Sequence, residues 1–89
     1  MELQRILQEL EEACARVGVV VSYSELTGEG MSTGGLCKVK GEWRCIVEKR
    51  ASVGEKVSVL AKALSTFDLE NVFLSPQARE LVARHRPSA

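Results

Sequence analysis

The side chains best equipped for chemistry are three cysteines, Cys14, Cys37 and Cys45, and one histidine, His85. A thiol reacts as its thiolate, and a nearby cation is the usual means of lowering its pKa. Cys37 precedes Lys38 and Cys45 follows Arg44. Neighbours along a strand point to opposite faces, so those cations do not approach the sulfurs. The cysteines read as small buried hydrophobes. An odd count cannot pair fully within one chain, and there is no C-x-x-C spacing for a zinc ribbon or a redox motif. Cys37 and Cys45 flank a hairpin turn, and with a two-residue loop they point to opposite sheet faces, which forbids a bridge. The thiols are expected to be reduced, in a reducing compartment. His85 sits between Arg84 and Arg86 with no second histidine to share a metal, and reads as a solvated residue completing a helix end. No catalytic residue, metal ligand or cofactor is implied.

Two further segments are worth weighing. Gly28, Glu29 and Gly30 with Gly34 and Gly35 make a glycine-rich loop. It lacks the ending of a phosphate-binding loop, it leads into a strand rather than a helix, and Glu29 would repel phosphate. It reads as a flexible connector, with contact to a partner as the alternative. Between Leu36 and Lys56 stand six cations (Lys38, Lys40, Arg44, Lys49, Arg50 and Lys56) against Glu42, Glu48 and Glu55, a local balance of +3, with Trp43 among them. A basic hairpin with an aromatic could grip nucleic acid. The plainer reading is a solvated hairpin whose tryptophan covers the core. The residues singled out as an interaction surface are Trp43, Arg44, Lys38, Lys40, Gly30, Gly34 and Gly35.

The elements that must position these groups follow from hydrophobic spacing. Leu3, Ile6, Leu7, Leu10, Ala13, Cys14 and Val17 recur at intervals of three and four, which predicts an amphipathic helix over 2–17 stopped by Gly18. Val19 to Tyr23 is a β-branched run and predicts a strand. Ser24 to Gly35 is expected to be loop. Leu36 to Lys40 and Trp43 to Lys49 are expected to pair as a hairpin about Gly41-Glu42, or about Lys40-Gly41 as a type I′ pair. Either loop sets Leu36, Lys38, Trp43, Cys45 and Val47 on one face, and Cys37, Val39, Arg44, Ile46 and Glu48 on the other. Ser52-Val53-Gly54-Glu55 fits a capping box, opening a helix that runs to about Phe67. Asn71 to Leu74 reads as a short edge strand or a connector. Ser75-Pro76 opens a last helix, with serine as N-cap and proline at its first position.

The order predicts an α+β fold, α-β-β-β-α-(β)-α. Its sheet is small, three- to four-stranded and mostly antiparallel, with helices packed on one face. The 89 residues fit one domain, 1–89. A chain this short buries only roughly 60–65% of its unfolded surface, so its stability is expected to be marginal. Formal net charge is zero, which argues against generic attraction to nucleic acid or membranes and provides little repulsion against self-association. No apolar run approaches a membrane span, and the N-terminus has no signal-peptide core. The expected setting is the cytoplasm.

An N-terminal helix, the Gly18-Val19-Val20-Val21 strand, a loop, the Gly34-Gly35-Leu36-Cys37 strand, then Trp43 to Glu48 and a helix near Glu55 together resemble the minimal zincins, small metallopeptidase-like domains of the phage anti-repressor type. The resemblance covers roughly residues 3–67 and is one of element order. In that family the second helix carries His-Glu-x-x-His, two zinc ligands and a general base. Here Ala61, Lys62 and Ser65 stand at those places. An alanine has no lone pair, and an ammonium repels a cation. The resemblance therefore implies a degenerate, metal-free member. These readings lead to a non-enzymatic protein-interaction or regulatory domain whose partner is another protein or a second copy, with a nucleic-acid-binding module on hairpin 36–50 as the alternative. Elemental analysis of the purified protein is expected to find no stoichiometric zinc; a tight one-to-one load would overturn the metal-free expectation.

Overall fold

The computed structural model describes residues 3–25 and 34–86. The first helix, α1 (Leu3–Arg16), buries Ile6, Leu7, Leu10, Ala13 and Cys14, the face its spacing predicts. Gly18 follows with φ 85°, the left-handed conformation that ends a helix without a Cβ penalty. Three strands come next, β1 (Val19–Ser24), β2 (Gly34–Val39) and β3 (Glu42–Glu48), then α2 (Val53–Leu64) and α3 (Pro76–Arg84).

The sheet is mixed, in the order β1-β3-β2. β1 runs parallel to β3, with Val21 opposite Cys45, and β2 runs antiparallel to β3, with Leu36 opposite Cys45. The chain thus skips a place after β1, lays down β2, and returns through the hairpin to fill the gap with β3. The turn is Lys40-Gly41, with φ 51° and 81°, the type I′ alternative. Lys40 therefore belongs to the turn and Glu42 to β3. Ser24, Gly34 and Gly35, expected in the loop, belong to strands. Gly30 and the rest of residues 26–33 lie outside the described residues. Asn71–Leu74 is a connector and forms no strand.

One sheet face carries Val19, Trp43, Cys45, Val47 and Leu36, and the helices cover it. The opposite face leaves Val20 and Val39 exposed among the described residues. α1 packs on β1, and α2 on β2 and β3; α3 rests on α1 and α2 rather than on the sheet. The core joins Leu10 and Cys14 of α1, Cys45 and Val47 of β3, Leu60 and Leu64 of α2, and Val82 of α3, all but closed to solvent. Burying each of the larger side chains is worth about 1.5–3 kcal/mol.

Local interactions set the helix ends. The Ser52 hydroxyl accepts from the Glu55 amide at 3.2 Å, and the Glu55 carboxylate accepts from the Ser52 amide at 3.0 Å, completing the capping box. α2 ends at Leu64, with Ser65 as C-cap, three residues before Phe67. The Ser65 hydroxyl donates to the Lys62 carbonyl and the Thr66 hydroxyl to the Ala63 carbonyl, satisfying groups the helix leaves open. Ser75 caps α3, and its own amide donates to the Glu9 carboxylate at 2.9 Å, pinning α3 to α1.

Gly34 has φ 141°, and a Cβ there would overlap the carbonyl oxygen of Ile46; at Gly35 a Cβ meets nothing within 4 Å. Gly34→Ala is expected to cost more than about 2 kcal/mol, and Gly35→Ala less than about 0.5 kcal/mol. Chemical denaturation of the two variants checks this; equal costs would mean that Gly34 does not fix the start of β2.

Candidate functional site

The two buried thiols are poorly suited to catalysis. Cys14 and Cys45 are closed to solvent. Burial pushes the Cys14 thiol up to about 12, helped by the neighbouring Cys45 and by Glu11. Burial also pushes the Cys45 thiol up to about 11, helped by Cys37. Both stay protonated near neutrality, where the thiolate is the reactive form. Cys37 stands on the opposite sheet face, paired with Arg44 across the hairpin, as a two-residue loop requires.

Tyr23, at the end of β1, donates its hydroxyl to the Glu11 carboxylate of α1 and lies under the Lys56 ammonium of α2 at 5.4 Å. Burial, followed by the Glu11 contact, drives the Tyr23 hydroxyl well above its ordinary value. The arrangement ties β1, α1 and α2 at one edge of the core. Among the described residues, no group of three or more His, Cys, Asp and Glu side chains could hold a metal ion. Ala61 is fully buried, Lys62 is exposed, and the Ser65 hydroxyl is engaged with the helix's own backbone. Among the described residues, no helix is long and apolar enough to cross a membrane.

Three of the six cations between Leu36 and Lys56 pair with carboxylates. Arg44 pairs with Glu42 at 2.9 Å, Lys49 with Glu25 at 3.7 Å and Arg50 with Glu48 at 3.1 Å. The Glu48 hydrogen bonds raise the Arg50 pKa. Trp43 is half-buried on the helix-covered face, its ring edge-on to Phe67 at 5.7 Å, and the Lys38 ammonium covers it at 5.1 Å. Trp43 is thus a lid over the core rather than a stacking platform at the hairpin tip. The residues singled out from sequence do not form one patch: Lys38 and Trp43 share the helix-covered face, Arg44 points to the other, Lys40 is in the turn, and Gly34 and Gly35 open β2.

Gly34 and Gly35 instead join a groove of about 660 Å³. β2 supplies these glycines and Leu36; α2 supplies Ser58, Val59, Lys62 and Ala63, and the turn after it Thr66; His85 closes one side from the end of α3. β2 is an edge strand. The type I′ turn makes Val39–Glu42 a hydrogen-bonded pair, and the antiparallel alternation then directs the peptide groups of Cys37 and Gly35 toward β3. Leu36 and Lys38 therefore direct their N–H and C=O groups away from the sheet, and their side chains lie on the helix side. Sequence reasoning missed the α2 wall and His85. Leu36 reads as an inward position, Val59 and Ala63 fall outside the apolar stripe of Val57, Leu60, Ala61, Leu64 and Phe67, and nothing local reveals which strand stands at an edge.

A second concavity of about 370 Å³ lies between α1 and the connector before α3, lined by Arg5, Glu9, Glu12 and Arg16 with Phe73. Phe73 is 88% exposed. This concavity mixes both signs of charge, and Glu9 is already engaged with the Ser75 amide.

Comparison with protein-family models, with curated proteins and with solved structures finds no match to this chain.

The folded chain holds the Cys14 and Cys45 protons more tightly than the unfolded chain does. That stabilisation is complete below the ordinary thiol value of 9.0 and is lost as pH rises through about 11 for Cys45 and about 12 for Cys14. Stability is therefore expected to fall above pH 9.0, each thiol contributing up to about 1.4 kcal/mol per pH unit. Denaturation across that alkaline range should show a shallower fall in the double variant Cys14→Ala, Cys45→Ala; an unchanged slope would assign the effect elsewhere.

Proposed function

We propose that this chain is a non-enzymatic protein-interaction or regulatory domain of the cytoplasm that binds its partner along the free edge of β2 and the adjoining groove. One observation carries the reading. The outward peptide groups of Leu36 and Lys38 have no strand beside them among the described residues, and Leu36 borders an open groove walled by α2. An extended segment entering there can hydrogen-bond to the strand edge while its alternate side chains meet Leu36, Val59 and Ala63. β2 spans six residues, or roughly 20 Å, which suits a partner strand of similar length. Each backbone hydrogen bond so formed adds about 0.5–1.5 kcal/mol net.

Other features support the same reading. The buried thiols are held protonated, which suits packing rather than nucleophilic attack. The three free cysteines fit a reducing compartment. Kinship with a zincin whose two ligand positions have become Ala61 and Ser65, and whose base position has become Lys62, is part of this proposal, and it is compatible with a domain that binds without cutting.

Display selection of short random peptides on the immobilised chain, followed by amide NMR of the complex, tests it. Shifts are expected to cluster at Leu36, Lys38, Val59 and Lys62. N-methylation of the selected peptide at alternate residues should weaken binding at least about ten-fold, because it removes donors to the strand edge. Lys38→Pro should do the same while keeping the ladder to β3, since the Lys38 amide faces outward. Shifts confined to other surfaces, or indifference to N-methylation, would sink the reading.

A further inference from the structure

The formal charge in the lining of this groove is the Lys62 ammonium. Lys62 stands exposed on its α2 wall and His85 on its α3 side, and no carboxylate is among the residues that line it. Lys38 lies at the far end of β2, where Trp43, its partner across the hairpin, meets Phe67 beyond the end of α2. Three carboxylates outside that lining have partners of their own. Glu42 is held by Arg44, Glu55 by the Ser52 amide, and Asp68 by the Glu70 amide. Among the described residues, Lys62 and His85 have no ion pair. A lysine left without a counter-charge beside unpaired backbone groups favours an anionic occupant.

The same distribution bears on self-association. The charge on β2 itself is Lys38 alone, in Gly34-Gly35-Leu36-Cys37-Lys38-Val39. Edge-to-edge pairing of two copies would bring a second Lys38 and a second Lys62 into one cleft, with no carboxylate on either strand to answer them. Charges of like sign brought together across an interface act against that partner. Net charge near zero does not oppose self-association in general, but the local charge at this edge does.

We propose that the groove between β2 and α2 takes an extended acidic segment of another protein as a fourth strand, with its carboxylates directed to Lys62 and, at the margins of the groove, to Lys38 and His85. This inference rests on the binding reading above and adds the chemical class of the partner. The acidic side chains belong on every second residue of the incoming strand, because only alternate side chains turn toward the helix side. The residues between them turn to the open sheet face beside Gly35, where there is room.

Three libraries of labelled eight-residue peptides test it, each randomised among Val, Ile, Thr, Tyr and Ser together with Glu, Gln or Lys respectively. Their binding to the full chain is read by fluorescence polarisation at low and moderate salt. The Glu library is expected to bind about ten-fold tighter than the Lys library, the gap narrowing with salt. Lys62→Glu should invert the order and Lys62→Gln should level it, and the position is exposed, so both variants should fold. Equal affinities for all three libraries, with shifts still on β2, would overturn the acidic preference while leaving the groove as a binding site. No binding by any library would overturn both. A concentration-dependent dimer that protects the Leu36 and Lys38 amides would overturn it in favour of a second copy.

Discussion

The side chains of Cys45 and Val47 have no access to solvent, and the strand that carries them is hydrogen-bonded on both sides. A backbone in that position has every peptide group paired, so β3 can be buried at no cost in unsatisfied donors. Everything else is arranged around it. β1 and β2 complete its hydrogen bonding, α2 packs on it and α1 on the neighbouring β1, and α3 seals the far side of the two helices. Among the described residues, the helices lie on one face of the sheet. The opposite side therefore stays open, and Val20 and Val39 remain in contact with solvent.

Placing β3 in the centre has a second consequence. Among the described residues, the two outer strands each keep one row of peptide groups with no strand beside it, a feature that promotes uncontrolled pairing unless it is managed. The edges here differ. At the β1 edge, the Tyr23 side chain is locked between Glu11 and Lys56, and the described chain continues into the Lys49–Glu25 pair. At the β2 edge, Lys38 lies on the helix side over Trp43, an inward charge of the kind that discourages like strands from docking. An edge guarded against its own kind yet bordered by a groove is an arrangement suited to selective recognition.

The polar interactions serve placement more than stability. Exposed pairs such as Arg84–Glu80 contribute at most about 1 kcal/mol. The Glu9 carboxylate matters more for position, since it reaches the backbone amide of Ser75 from a helix far away in sequence and sets where α3 begins. Likewise Arg86 donates to the Phe67 carbonyl at 3.2 Å, joining the end of α3 to the turn after α2. These two contacts hold α3 where His85 can flank the groove.

Much of this was legible in the residues themselves. Helix α1 follows from the three-and-four spacing of its apolar side chains, the capping box from Ser52 and Glu55, and the separation of Cys37 from Cys45 from the parity of a two-residue turn. Each of these depends on neighbours in the chain, and local geometry is enough to determine it. Sequence could not decide between the two hairpin loops, because Lys40-Gly41 and Gly41-Glu42 assign every side chain to the same face. Nor could it show that β3 returns to sit between β1 and β2. Strand order is a contest among long-range pairings, settled by which strand buries best on both sides. The groove depends on that outcome: Gly34, Lys62 and His85 are distant in sequence, and only the choice of β2 as an edge, with α2 and α3 beside it, brings them to one place.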